Sequence, residues 1–86
     1  DEARERLTAA IGWIEQIDDS KEHDAKHIEE YIKNLIQAQG WGNGDTLWPL
    51  RVSLSAQEKS PSPFELIAVL GKKQSTARIR QALETL

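Results

Sequence analysis

Asp45-Thr46-Leu47-Trp48-Pro49-Leu50-Arg51-Val52-Ser53-Leu54-Ser55 decides whether this 86-residue chain is built from helices alone. Two periods fit the stretch. Leu50, Val52 and Leu54 alternate as in a strand, whereas Leu47, Leu50, Arg51 and Leu54 recur at the spacing of a helix. No other segment offers a strand to pair with, and an isolated strand is unstable. The stretch is therefore predicted to be a helix, with Asp45 as its N-cap and Pro49 in the first turn, where proline is tolerated.

Upstream, Leu7, Ala10, Ile11, Ile14 and Ile17 form an apolar stripe at helical spacing, with Trp13 at its flank. Acids sit in the first turn, where the helix dipole favours them. A helix is predicted over 3–18, ended by Asp18-Asp19-Ser20. Asp24 is the N-cap of a second helix, whose stripe is Ile28, Tyr31, Ile32, Leu35 and Ile36. Gly40 follows its last turn, as a helix-terminating glycine does. Gly40-Trp41-Gly42-Asn43-Gly44 reads as a mobile turn between helices. It is not the G-x-G-x-x-G fingerprint, because no strand precedes it.

Downstream, Ser60-Pro61-Ser62-Pro63 cannot lie inside a helix. Between apolar helices so short a loop is expected to be ordered. Phe64 to Leu70 make a short, largely buried helix stopped by Gly71. Ser75 caps the last helix, with Ile79, Ala82, Leu83 and Leu86 on its apolar face. The expected fold is all-α, a compact bundle of about five helices forming one domain over residues 1–86.

Composition narrows the function. The chain has no cysteine, which removes disulfides, Cys-ligated zinc, iron–sulfur clusters and thiol catalysis. No apolar run approaches the ~20 residues that span a bilayer. The sequence also lacks methionine, which points to a piece of a longer protein. Fourteen acids against eleven bases give a net charge of −3, unevenly spread. Residues 1–40 carry −5 and residues 41–86 carry +2, which suits an anionic partner on one side.

No catalytic constellation emerges. His23 and His27 are four apart, but Asp24 stands where a zincin motif needs Glu, and a third ligand is missing. Glu29 and Glu30 are adjacent and point apart. The serines lack a nucleophile elbow. Catalytic residues and metal ligands are therefore expected to be absent. Trp13 reads as core or edge of core. Trp41 and Trp48 flank the glycine turn and either plug the gap between helices or stack on a base. The proline loop has three readings: a plain linker, a polyproline ligand, which would need longer exposure, and a recognition loop, for which its rigid, extended backbone is suited.

Three motifs in order, Leu47-Trp48-Pro49-Leu50-Arg51-Val52-Ser53-Leu54-Ser55, Ser60-Pro61-Ser62-Pro63-Phe64-Glu65 and Leu70-Gly71-Lys72-Lys73, resemble the C-terminal end of bacterial-type glutamyl-tRNA synthetases. The resemblance covers the whole chain, and its specificity lies in 47–73. It implies the last subdomain of the helical anticodon-binding region of a class I synthetase. The catalytic domain would lie upstream, since neither a HIGH nor a KMSKS signature is present. No cofactor is implied for these residues, whereas the parent enzyme is implied to use ATP and magnesium. Arg51, Ser60, Pro61, Ser62 and Pro63 are implied to approach the anticodon, and Lys72, Lys73, Arg78 and Arg80 the tRNA backbone. Ala56 stands where the family usually has glycine, and Ser62 falls where its loop often has one.

The implied partners are tRNA and the upstream domains of the same chain, in a cytoplasmic monomer that engages neither membrane nor DNA. The alternative is a non-catalytic helical protein-interaction domain. A DNA-reading helix over 75–85 is disfavoured by the acidic first half.

Overall fold

A computed structural model describes residues 2–55 and 62–85. They form α1 (Glu2–Glu15), a 3-10 turn (Asp19–Lys21), α2 (Ala25–Ala38), α3 (Asn43–Ser55) and α4 (Pro63–Thr85), with no strand among the described residues. Ser60, Pro61 and Ala56 lie outside the described residues.

The apolar stripes read from the sequence are the ones that meet. Leu7, Ala10, Ile11, Ile14 and Ile17 pack with Ile28, Ile32 and Ile36, Leu50 and Leu54, and Phe64, Ile67 and Ile79 in one core. Six isoleucines of this core, Ile14, Ile28, Ile32, Ile36, Ile67 and Ile79, are wholly buried. Helix α4 packs against each of the other three. Val69 departs from the expected largely buried helix over 64–70, since it lies on the outer face and is 80% exposed.

Local signals set most helix ends. The Asp24 carboxylate accepts the His27 N–H at 3.1 Å and caps α2. At the other end Gly40 adopts φ 74°, its N–H donates to the Gln37 carbonyl at 3.0 Å, and the Trp41 N–H donates to Ile36 at 3.2 Å. That pair is a Schellman motif, which needs a residue tolerant of left-handed geometry. Helix α1 stops at Glu15, earlier than position 18, as the backbone tightens through an Ile17 N–H to Ile14 carbonyl bond of 3.1 Å.

Helix α3 starts at Asn43, so Pro49 occupies its second turn rather than its first. The Gly42 carbonyl accepts both the Thr46 N–H at 3.3 Å and the Thr46 hydroxyl at 3.1 Å, which begins the helix before Asp45. The expected mobile turn thus shrinks, because Asn43 and Gly44 are already helical.

The expected fourth and fifth helices run together as α4, across a break at Gly71 with φ 81° and ψ 172°. An unbroken helix would pair the Lys72 N–H with the Ala68 carbonyl. Instead the Lys72 N–H donates to Glu22 Oε1 at 3.1 Å, and His23 Nδ1–H donates to the Ala68 carbonyl at 2.6 Å. Two consecutive residues from the α1–α2 connection therefore satisfy both halves of the missing bond, and the helix resumes at once. Lys72 secures the same junction, since its ammonium donates to the Ile17 carbonyl at 2.6 Å and to Asp19 at 2.7 Å.

Ser75 is not a cap. It lies wholly buried inside α4, and its hydroxyl has no hydrogen-bond partner among the described residues. Its i−4 residue is Gly71, whose ψ turns the carbonyl off the helical path, and the Thr76 hydroxyl takes the Lys72 and Lys73 carbonyls at 3.0 and 3.1 Å. A buried hydroxyl without a partner costs free energy that a methyl does not. Ser75→Ala is expected to raise stability by about 1 kcal/mol, read as a higher urea midpoint. A lowered midpoint would show that the hydroxyl is bonded in solution.

Candidate nucleic-acid interface

Arg51 lies half-buried on α3, one turn before that helix ends. Ser62 and Pro63 open α4. The Ser62 hydroxyl accepts the Glu65 N–H at 3.3 Å and its carbonyl accepts the Leu66 N–H at 3.1 Å, so Ser62 is the N-cap. Pro63 follows as the first helical residue, where its missing N–H costs nothing, and it is buried. These anticodon candidates flank the single connection between α3 and α4. The Ser62 hydroxyl proton stays available to donate, because the cap uses only its oxygen.

The basic candidates divide between two faces. Lys72, Lys73 and Arg80 border a shallow cleft that they share with Glu15, Asp19 and Glu22. The cleft is close to charge-balanced. Lys72 is committed to Asp19, whose carboxylate holds its ammonium pKa above the usual lysine range. Arg80 pairs with Glu15 at 3.4 Å across an exposed gap, an interaction of small strength. Lys73 is exposed. Nearby, the Ser20 N–H and hydroxyl hold the Asp18 carboxyl below the usual carboxylate range. Arg78 faces elsewhere: its Nη1 donates to the Leu54 carbonyl at 2.7 Å, closing the C-terminal end of α3.

The three tryptophans have different fates. Trp13 and Trp41 pack together with ring centroids 5.9 Å apart, and the Arg6 guanidinium lies 5.0 Å over Trp41. Tyr31 donates its hydroxyl to the Trp13 carbonyl at 3.0 Å. Trp41 thus plugs a gap between helices. Trp48 is 53% exposed and borders a groove between α1, α3 and α4. The two histidines also separate, with His23 on the Ala68 carbonyl and His27 stacked on Tyr31 at 6.3 Å. Among the described residues no group of three or more His, Cys, Asp or Glu is gathered to hold a metal ion.

The model of the family described as "anticodon binding domain" matches residues 1–83. The chain belongs to that anticodon-binding-domain family. Its similar proteins include the glutamate–tRNA ligase of Clostridium botulinum, 35% identical over 95% of this chain and 17% of its own. Glutamate–tRNA ligase 2 of Novosphingobium aromaticivorans is 36% identical over 93% of this chain and 16% of its own. The glutamate–tRNA ligase of Clostridium acetobutylicum shows the same identity and the same two shares. The chain therefore spans about a sixth of the length of the curated relatives it matches. No solved structure matches it.

Several features of this anticodon-binding domain were hidden from a reading of its sequence. The commitment of Lys72 depends on Asp19, 53 residues away in sequence. The bonding of Arg78 to the end of α3 and the exposure of Trp48 depend likewise on how helices pack. Only the basic character of 72–80 was a local signal. No helix among the described residues is long and apolar enough to cross a membrane.

Proposed function

We propose that this domain reads the anticodon loop of a glutamate tRNA as the C-terminal part of a cytoplasmic, monomeric glutamate–tRNA ligase. The upstream domains of that enzyme would carry out ATP-dependent glutamylation. Magnesium for that chemistry would be held there, since no group of three or more His, Cys, Asp or Glu is gathered among the residues described here.

The observation that supports this reading most is the extent of the family match. Relatives named as glutamate–tRNA ligases align over nearly all of this chain, including the segments around Arg51 and Ser62. The chemistry agrees. Sequence-specific RNA recognition favours unpaired bases, whose edges can be hydrogen-bonded and whose faces can be stacked. Arg51 carries a planar guanidinium, whose terminal N–H pair has the shape to match a base edge. Ser62 adds a hydroxyl proton on a helix-capping residue held in place by its own backbone bonds. Ser60 and Pro61 complete the proposed reading loop. For the tRNA backbone, Lys73 is exposed and borders the same cleft as Arg80. Lys72 and Arg78 would reach phosphate only while keeping, or giving up, their bonds to Asp19 and Leu54.

The test is an NMR titration of the 86-residue chain with the anticodon stem-loop of glutamate tRNA, against the same stem with a scrambled loop. Shifts clustered at Arg51, Ser62 and Lys73 with the first RNA alone are expected. Equal shifts with both loops would reduce the domain to a phosphate platform, since phosphate contacts carry no sequence information.

A further inference from the structure

We propose that the groove between α1, α3 and α4 seats one additional unpaired RNA base on the indole of Trp48, with Arg78 meeting the adjoining phosphate. This inference rests on the RNA-binding reading above and adds a contact outside the α3–α4 connection. It begins from the unequal treatment of the aromatic rings. Trp13 and Trp41 are packed against each other, whereas Trp48 is 53% exposed and its neighbour one turn on, Val52, is 40% exposed. Leaving an indole and a valine side by side in water is unfavourable for a domain with so small a core, so the pair marks a surface that a partner covers.

The groove they border has a volume of about 780 Å³, within the range of small-ligand sites. Leu7, Leu54 and Ala82 make its apolar lining. Gln81 brings an amide with both a donor and an acceptor, which suits a base edge.

Charge decides between nucleic acid and protein as the occupant. The chain carries fourteen acids and a net charge of −3, yet none of the described lining residues is Asp or Glu. The one charged residue among them is Arg78. Its guanidinium is anchored by the 2.7 Å bond from Nη1 to the Leu54 carbonyl, and the fork carries further N–H donors beyond that one. An aromatic face beside an anchored cation, with no acid among the described lining residues, is the combination that binds single-stranded nucleic acid. Trp48 also lies one turn before Arg51 on α3, so a strand whose base meets Arg51 runs past Trp48 within a nucleotide or two.

The experiment uses the 86-residue chain and follows the three indole N–H resonances, assigned by single substitutions, as the glutamate tRNA anticodon stem-loop is added. The Trp48 resonance is expected to shift and that of Trp13 to stay. Trp48→Leu, which keeps apolar area but has no π face, is expected to weaken binding roughly tenfold, whereas Trp48→Phe stays within about threefold. Both variants should melt like the parent, because the ring is exposed. Abasic substitutions around the loop then identify the nucleotide.

Arg51-dependent binding that leaves the Trp48 resonance in place, with Trp48→Leu at parental affinity, would overturn this site and leave the loop reading standing. A Trp48 resonance that moves with protein concentration in the absence of RNA, and not on adding RNA, would reassign the groove to protein contact. Absence of any RNA binding would overturn both proposals together.

Discussion

Gly71→Ala is expected to lower the stability of the domain by about 2–4 kcal/mol, a large share of what a domain of this size has. The backbone at Gly71 combines φ 81° with ψ 172°, a region that only glycine occupies without strain. A Cβ there would also stand 2.9 Å from Glu22 Oε1 and 3.4 Å from His23 Cε1. Glu22 is a flexible side chain, but that oxygen already accepts the Lys72 N–H, so moving it unmakes the bond that restarts α4. Strain and loss of the bond therefore add. A contrast lies within the same chain: Gly12 is inside α1, and a Cβ there would meet nothing within 4 Å. Gly12→Ala should stabilise by about 0.5–1 kcal/mol through helix propensity alone. Urea titrations of the two variants should move in opposite directions, and an unshifted midpoint for Gly71→Ala would remove the claim that the break is held by geometry.

Arg51→Ala is expected to weaken binding of the glutamate tRNA stem-loop roughly 10- to 100-fold, the range for losing charge-assisted hydrogen bonds. Arg51 is half-buried, so the truncation is to be paired with Arg51→Lys. Lysine keeps the charge and most of the stem but has no planar fork. It should retain salt-dependent affinity for any RNA while losing the preference for the glutamate loop over the scrambled one. Fluorescence anisotropy with both RNAs, beside thermal melts of both variants, separates recognition from folding. A preference that survives in Arg51→Lys would place the reading of the bases elsewhere.

The two substitutions differ in how far the sequence announced them. Arg51 stands out in the sequence, because it sits in a distinctive motif. Gly71 also lies in one of the three motifs, but its own local signal is a helix stop. The stop is real, yet α4 continues, because Glu22 and His23 supply the amide and carbonyl partners from 50 and 45 residues away. Ser75 was misread for the same reason. A cap was expected after the stop, but the cap comes from another part of the chain, and Ser75 is left inside the helix. The start of α3 was missed by a smaller margin, since Thr46 bonds back to Gly42 and so moves Pro49 into the second turn.

At the candidate interface the residues were legible and their availability was not. Lysine and arginine look alike in a sequence whether they face solvent or a carboxylate. Lys72 is bound to Asp19 and Ile17, Arg78 to Leu54, while Lys73 is exposed. Trp41 and Trp48 had equal claims to stack on a base, and packing against Trp13 and Arg6 took Trp41 out of the contest.

The sequence by itself determined what depends on neighbours along the chain: the helical period of each apolar stripe, the Asp24 cap, the Gly40 terminator, and the family to which the motifs belong. Those signals act over three or four residues, within reach of a single turn. Tertiary structure alone decided the continuation of α4 through Gly71, the pairing of Lys72 and the exposure of Trp48. Each of these depends on a group brought near, or kept away, by helices far apart in sequence, and no local pattern encodes that distance.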